Sequence, residues 1–324
     1  MNERSRLTAI LRGAMGGALE WRLLTLFTAT VLWTTLVASF PAWRVLASVL
    51  DDSPRAQEIA SSFDLLAFSD MGMALNRSTA PMMGGVAIGT LLGIASWPFL
   101  AGMAVAAARG ERARTFAPVL EGAILYYTRM LRIGLVAIVP FALIGVIVAG
   151  VFKGASQLSR HAILESQASL VWRMAAVLAL LVFVVVHATL EAGRAAFGVD
   201  DNLRSGWSAW LRGVRLTGRD PLRVLGAYLG ATLASYALAV PLLILRLRLS
   251  GPSMGALVAG FILTQLAVVS LGWGRAARLF ALTELARSAR PASVLPAASS
   301  EAVPNDLQVI SSGSMLGELD PHRR

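Results

Sequence analysis

The chain contains no cysteine among its 324 residues. Disulfides, thiolate nucleophiles and zinc–thiolate centres are thereby excluded. Lysine is nearly missing too: of 29 basic residues, only Lys153 is a lysine. Charged residues make up 15% of the chain, against about 25% in a typical soluble domain. Histidine occurs at positions 161, 187 and 322 alone. The chain carries no His-Glu-x-x-His zinc motif, no Gly-x-Ser-x-Gly elbow and no P-loop. No pair of carboxylates falls within its apolar stretches, which argues against an intramembrane aspartyl protease. These absences leave no catalytic residue to nominate and predict no metal and no cofactor.

What is present in excess is apolar surface. Hydrophobic residues are 56% of the chain and the mean hydropathy is +0.65. Lipid can accept that much apolar surface, whereas a soluble fold of this length could not hide it. Six stretches without Asp, Glu, Lys or Arg stand out, at 23–43, 78–108, 133–152, 174–190, 224–245 and 249–274. A span needs roughly 20 residues. The fourth stretch is short and can continue past Glu191, and the two longest include some loop. The predicted fold is therefore all-α: a polytopic transmembrane helical bundle with six spans. The basic start (Arg4, Arg6, Arg12) precedes an apolar run without a small-residue cleavage site, so it reads as an uncleaved first span rather than a signal peptide.

Orientation follows from the arginines. On the side that holds the termini and the 109–132 and 194–223 loops there are 21 Lys and Arg; on the other side there are 8. Basic residues gather on the cytoplasmic side, so both termini are expected there, in a bacterial inner membrane. The net charge of +10 thus reads as topology. Nucleic-acid binding would need a basic face on a soluble module, and no nucleic-acid partner is expected.

The inner segments are patterned. Within 202–215, Leu203, Trp207, Trp210, Leu211 and Val214 recur at helical spacing, with Arg204, Ser208, Arg212 and Arg215 opposite. That is the pattern of an amphipathic helix in the membrane interface. Phe116, Leu120, Ala123 and Tyr127 give a weaker version before the third span, and Leu7, Ile10, Leu11 and Met15 another before the first. The outer segment 54–77 reads as helical from Pro54 through Ile59, Phe63 and Leu66. Residues 1–290 form the membrane domain. Residues 291–324 are rich in Pro, Ser and Ala and read as a disordered cytoplasmic tail.

An internal repeat is visible. The returning spans end in Ala-Ala-Ala-Arg-Gly (106–110), Glu-Ala-Gly-Arg-Ala-Ala-Phe (191–197) and Trp-Gly-Arg-Ala-Ala-Arg (273–278). Each outgoing span follows an amphipathic stretch ending in Arg22, Arg132 or Arg223. The unit would be interfacial helix, span out, outer loop, span back, three times over.

Small-residue ladders occur at Gly85, Gly89 and Gly93 in the second span and at Gly226, Gly230 and Ala234 in the fifth. They allow close approach of helix backbones, first of all within the bundle, and otherwise at an interface with a second copy or another membrane protein. Pro98, Pro140 and Pro241 each remove one backbone hydrogen bond within a span. His187 lies well inside the fourth span, with Glu191 one turn on and Arg194 three residues further, so the three share a face. Ionisable residues at such depth are functional candidates; the alternative is an ion-paired cluster where the span meets the cytoplasm. Gln265 and the threonines Thr25, Thr28, Thr30, Thr34 and Thr35 complete the intramembrane polar set. Asp200 and Asp201, at the inner surface, read as helix caps, or as ligands for a cation shared with a lipid phosphate.

The Glu-Ala-Gly-Arg-Ala-Ala-Phe segment, the Trp207/Trp210 helix and Asp220-Pro221-Leu222-Arg223 at the start of span five together resemble a group of bacterial six-span proteins. They are similar to the membrane domain found beside glycerophosphoryl diester phosphodiesterases. The resemblance covers roughly residues 1–290. It implies a membrane module that is not itself the hydrolase, and it carries over no catalytic residue. The expected function is a non-enzymatic accessory or scaffold in the lipid bilayer. The alternatives are a transporter or channel for a small or lipid-like solute and, third, an enzyme acting on lipid headgroups.

Overall fold

A computed structural model describes residues 3–51, 69, 72–73, 79–109, 115–162, 164–249 and 253–289. These described residues are 91% helical and contain no strand. Most of the outer segment 54–77, and all of the tail 291–324 with His322, lie outside them.

The helices in chain order are α1 (Glu3–Gly17), α2 (Trp21–Leu50), α3 (Thr79–Ala108), α4 (Ala117–Val136), α5 (Ile138–Arg160), α6 (Glu165–Phe197), α7 (Gly206–Arg219), α8 (Pro221–Arg248) and α9 (Met254–Ser288). Among the described residues, six segments are long and apolar enough to cross a membrane: Trp21–Ser48, Met83–Ala108, Ala117–Arg160, Glu165–Phe197, Pro221–Arg248 and Met254–Ser288. They correspond one to one with the six apolar stretches of the sequence. The third is a rod of 44 residues made of α4 and α5. A single residue, Ala137, separates the two, and its N–H still reaches the Ile133 carbonyl. Pro140 is the third residue of α5. It therefore accounts for the break at that helix start, which falls within the third span.

The three-fold unit of the sequence takes physical form. Consecutive spans pair as hairpins: α2 with α3, α5 with α6, and α8 with α9. Each hairpin is preceded by a helix that packs on the returning span of the hairpin before it. Thus α4 lies along α3 and α7 lies along α6, while α1 closes the ring on α9. The returning spans α3, α6 and α9 meet at the centre.

Small residues make these crossings possible. A Cβ on Gly102 would stand 2.9 Å from the Ala123 carbonyl, and one on Gly122 would strike Ala106. A Cβ on Gly213 would collide with the Thr189 carbonyl and the Gly193 amide nitrogen, and one on Gly206 would stand 2.8 Å from the Arg132 carbonyl. Helix α7 consequently differs from its sequence reading. It buries a stripe of small residues, Gly206, Ala209, Gly213 and Thr217, while Trp207, Leu211 and Val214 stay exposed. It is wedged between α6 and α4. In α4 the buried face is Val119, Ala123, Tyr126, Met130 and Ile133, shifted from the Leu120/Tyr127 line that the sequence offered.

The ladders have specific partners. Gly85 faces Pro41 and Gly89 faces Ala38, both on α2, whereas Gly93 meets nothing within 4 Å. Gly226 and Gly230 receive Leu7 and Leu11 of α1, so the ladder on the fifth span seats a pre-span helix and not another span. The five threonines of α2 each donate to the carbonyl four residues back in the same helix.

Burial is concentrated toward the arginine-rich end. In α6, ten of the eleven buried residues are the run from Ala188 to Phe197, and in α9 the long buried run spans residues 272–285. Large apolar side chains in the opposite half, such as Leu91, Ile94, Val146, Leu180, Leu181, Phe261 and Ile262, remain exposed.

Gly213→Ala is expected to cost about 1–3 kcal/mol by overpacking the α6–α7 crossing. Gly218→Ala, where a Cβ meets nothing within 4 Å, should be neutral or slightly stabilising. Thermal unfolding of both variants in detergent checks the pair.

Candidate functional site

The polar groups of the basic end fall into two layers. The outermost is a net of arginine contacts around the turn between α6 and α7. Arg109, at the end of α3, donates through both terminal nitrogens to Asp201, at 2.6 and 2.7 Å, and also reaches the Tyr126 hydroxyl. Arg129 of α4 donates to the Asp201 carbonyl at 3.1 Å. Arg212 of α7 binds Asp200, whose other oxygen accepts from the Asn202 amide. Arg132 donates to the Arg204 carbonyl at 3.0 Å. Asp200 and Asp201 are thus consumed by arginines from three helices. Neither caps α7, whose N-cap is Ser205, and no metal-holding group of three His, Asp or Glu occurs among the described residues. The sequence could not show this, because the pairing arginines lie in other segments of the chain.

A cavity of about 530 Å³ opens beside this net, lined among others by Glu20, Arg109, Glu121, Tyr126 and Asp201. An apolar groove of about 620 Å³ runs between the far halves of α5 and α6, past Gly150, Gly154, Met174 and Leu181. Neither is lined by His187, Glu191 or Gln265.

Deeper in, the three central spans bring together the cluster that matters most. Glu191 and Arg194 are almost wholly buried, at 2% and 1% exposure, and are joined by a 2.6 Å hydrogen bond from Nη1 to Oε1. The spacing of three residues on α6 turns both toward α3 and α9. The Arg194 guanidinium stacks over Trp97 of α3, 4.0 Å from the ring centroid. Arg275 of α9 shares the same ring at 4.8 Å. Arg278, one turn further along α9, lies over Tyr228 of α8 at 5.3 Å and donates to Thr232 Oγ1 at 3.0 Å.

His187 is at the edge of this cluster. Its Nε2 is 4.0 Å from Glu191, too long for a hydrogen bond. Its Nδ1 is 3.0 Å from the Tyr228 hydroxyl. The ring stacks on Phe183 with centroids 5.6 Å apart and lies against Phe141. Of the residues that share a face in the sequence, then, Glu191 and Arg194 pair directly, while His187 is engaged chiefly by an aromatic box from α5, α6 and α8. Gln265 lies elsewhere: ten residues along α9 from Arg275 is about 15 Å of rise, and it makes no hydrogen bond to the cluster.

Sequence reasoning placed Arg275 and Arg278 with the inner-loop charges and overlooked Trp97 and Tyr228. The available signal was the repeat itself. Gly193-Arg194-Ala195-Ala196 recurs as Gly274-Arg275-Ala276-Ala277, which sets both arginines at one level. Four buried polar atoms in the cluster have no hydrogen-bond partner: Glu191 Oε2, Arg194 Nε, Arg275 Nη2 and Arg278 Nε.

This fold and this polar centre belong to a multi-pass helical membrane protein. Comparison with models of known families, with curated proteins and with solved structures finds no match to the chain.

Removing one partner of a buried ion pair leaves the other charge uncompensated. Glu191→Gln is therefore expected to destabilise the bundle by about 3–5 kcal/mol, and the double change Glu191→Leu with Arg194→Met by less. Unfolding in detergent, compared across wild type, single and double variants, reads this directly.

Proposed function

We propose that this protein is a non-enzymatic accessory or scaffold module of a bacterial inner membrane, with both termini in the cytoplasm. The observation that carries this reading is the way its basic end uses its polar groups. Arg109, Arg129, Arg132 and Arg212 are spent on tying α3, α4 and α7 to the α6–α7 turn. Asp200 and Asp201, the residues a headgroup enzyme would need, are held by those same arginines. The polar net therefore ties helices to one another, as a structural module requires. The resemblance to the membrane domain that accompanies glycerophosphoryl diester phosphodiesterases supports the same reading, as a membrane part without the hydrolase. Orientation rests on the arginine asymmetry between the two sides.

A second reading, transport of a small or lipid-like solute, is favoured by one observation: three arginines face a single carboxylate at the centre of the bundle. A lipid-like cargo would need few polar groups along the rest of its path.

A fluorescent reporter fused to either terminus should be bright, and alkaline phosphatase at the same positions inactive; the reverse pattern would invert the topology. In liposomes, the purified protein should release no trapped anionic dye and flip no headgroup-labelled lipid faster than empty vesicles. Flux above that background that is lost in Arg275→Gln would replace the module reading with transport.

A further inference from the structure

The cluster at Trp97 is out of electrostatic balance. Arginine keeps its proton in proteins, so Arg194, Arg275 and Arg278 bring three positive charges. Glu191 is the one carboxylate within ion-pair distance of any of them among the described residues. Two positive charges are left over in an apolar surround made of Met103, Phe197 and Leu279 on the cytoplasmic side and bare spans on the other. Arg275 and Arg278 keep part of their surface exposed, but their Nη2 and Nε atoms are buried without a hydrogen-bond partner, and a charge drawn out of water without a counter-charge is costly. Stacking on Trp97 and Tyr228 offsets only part of that.

Three of the four unpartnered buried atoms are donors, and the fourth, Glu191 Oε2, is an acceptor. Arg194 is 1% exposed, and its Nε donor has no partner; neither do Nη2 of Arg275 and Nε of Arg278. The three donors belong to adjacent guanidinium groups on two central spans. Planar guanidinium forks suit tetrahedral oxyanions, which can accept two parallel N–H bonds from each. The cluster is sealed toward the basic end but not on its far side, where His187 keeps a fifth of its side chain exposed.

From the surplus charge and the unpartnered buried donors we infer an anion site at the centre of the bundle, in which Arg194, Arg275 and Arg278 hold a phosphate group. Glu191 positions Arg194 and limits the net charge to two, the charge of one phosphate monoester. The phosphate can belong to a lipid headgroup or be free in solution. This goes beyond the module reading and stands or falls without it, because a scaffold can carry a bound anion and an empty cluster would leave the scaffold intact.

The test uses the full-length protein purified in a neutral detergent. Radiolabelled inorganic phosphate and dihexanoyl phosphatidic acid are titrated separately by equilibrium dialysis, with wild type beside Arg275→Gln, Arg278→Gln and the surface control Arg212→Gln. The wild type and Arg212→Gln should bind about one equivalent of at least one probe, and the two cluster variants about ten- to a hundredfold more weakly, since a charged hydrogen bond is worth about 1.5–3 kcal/mol. Saturable binding of inorganic phosphate assigns the site to the free anion; saturation by the phosphatidic acid alone assigns it to a lipid. No saturable binding of either probe by wild type, or equal affinity in the cluster variants, overturns the proposal. Should the glutamine variants fail to fold, Arg275→Lys keeps the charge and loses the fork. It should bind about tenfold more weakly, and unchanged affinity there overturns the proposal as well.

Discussion

The whole architecture depends on how closely a short helix can approach the span before it. At the α6–α7 crossing the backbone of Gly213 rests directly on Thr189 and Gly193, with no room for a Cβ. The same device recurs where Gly102 and Gly122 join α3 to α4. In lipid, apolar side chains gain nothing by leaving the acyl chains for one another, so helix association rests on van der Waals contact, and small residues maximise it. The ring of three hairpins is built from such crossings, each hairpin being anchored by the helix that introduces the next. The first helix, with Leu7 and Leu11 against Gly226 and Gly230, closes the ring.

Tight packing at one end sets the electrostatics there. Because α3, α6 and α9 converge at the basic end, Arg194 in the last turn of α6 and Arg275 within α9 are drawn inside. Arginines at span ends ordinarily reach the interface with their long side chains. Here the surrounding helices α1, α4 and α7 occupy that route, so Arg194 and Arg275 turn inward to the Trp97 ring. Arg109 sits at the outer limit of the same end and finds Asp201, an exposed partner. Position in the bundle thus separates an arginine that ties loops together from arginines that gather around Trp97.

Much of this was legible in the sequence. The six spans, the basic end and the three-fold unit rest on local properties, namely runs without charge and short recurring segments. The faces of α1 were readable too, because Leu7, Ile10, Leu11 and Met15 follow the helical period and are the residues that face its neighbours. The packed side of α7 was not read, since the large side chains Trp207, Leu211 and Val214 dominate any hydrophobic pattern while the stripe that packs is Gly206, Ala209, Gly213 and Thr217. Hydrophobicity reports affinity for lipid, and small residues report proximity to another backbone; in a membrane these are different faces of one helix.

The sequence alone determined the solvent of this protein, its spans and the end on which its positive charge collects, because those depend on composition within a single segment. Only the tertiary structure decided that Asp200 and Asp201 are bound by Arg212, Arg109 and Arg129, and that Glu191 stands alone against Arg194, Arg275 and Arg278 around Trp97 and Tyr228. Those groups come from segments far apart in the chain, and a charge acts on what is near it in space. No local pattern records which spans converge, so the surplus of positive charge around Trp97 exists only once α3, α6 and α9 have met.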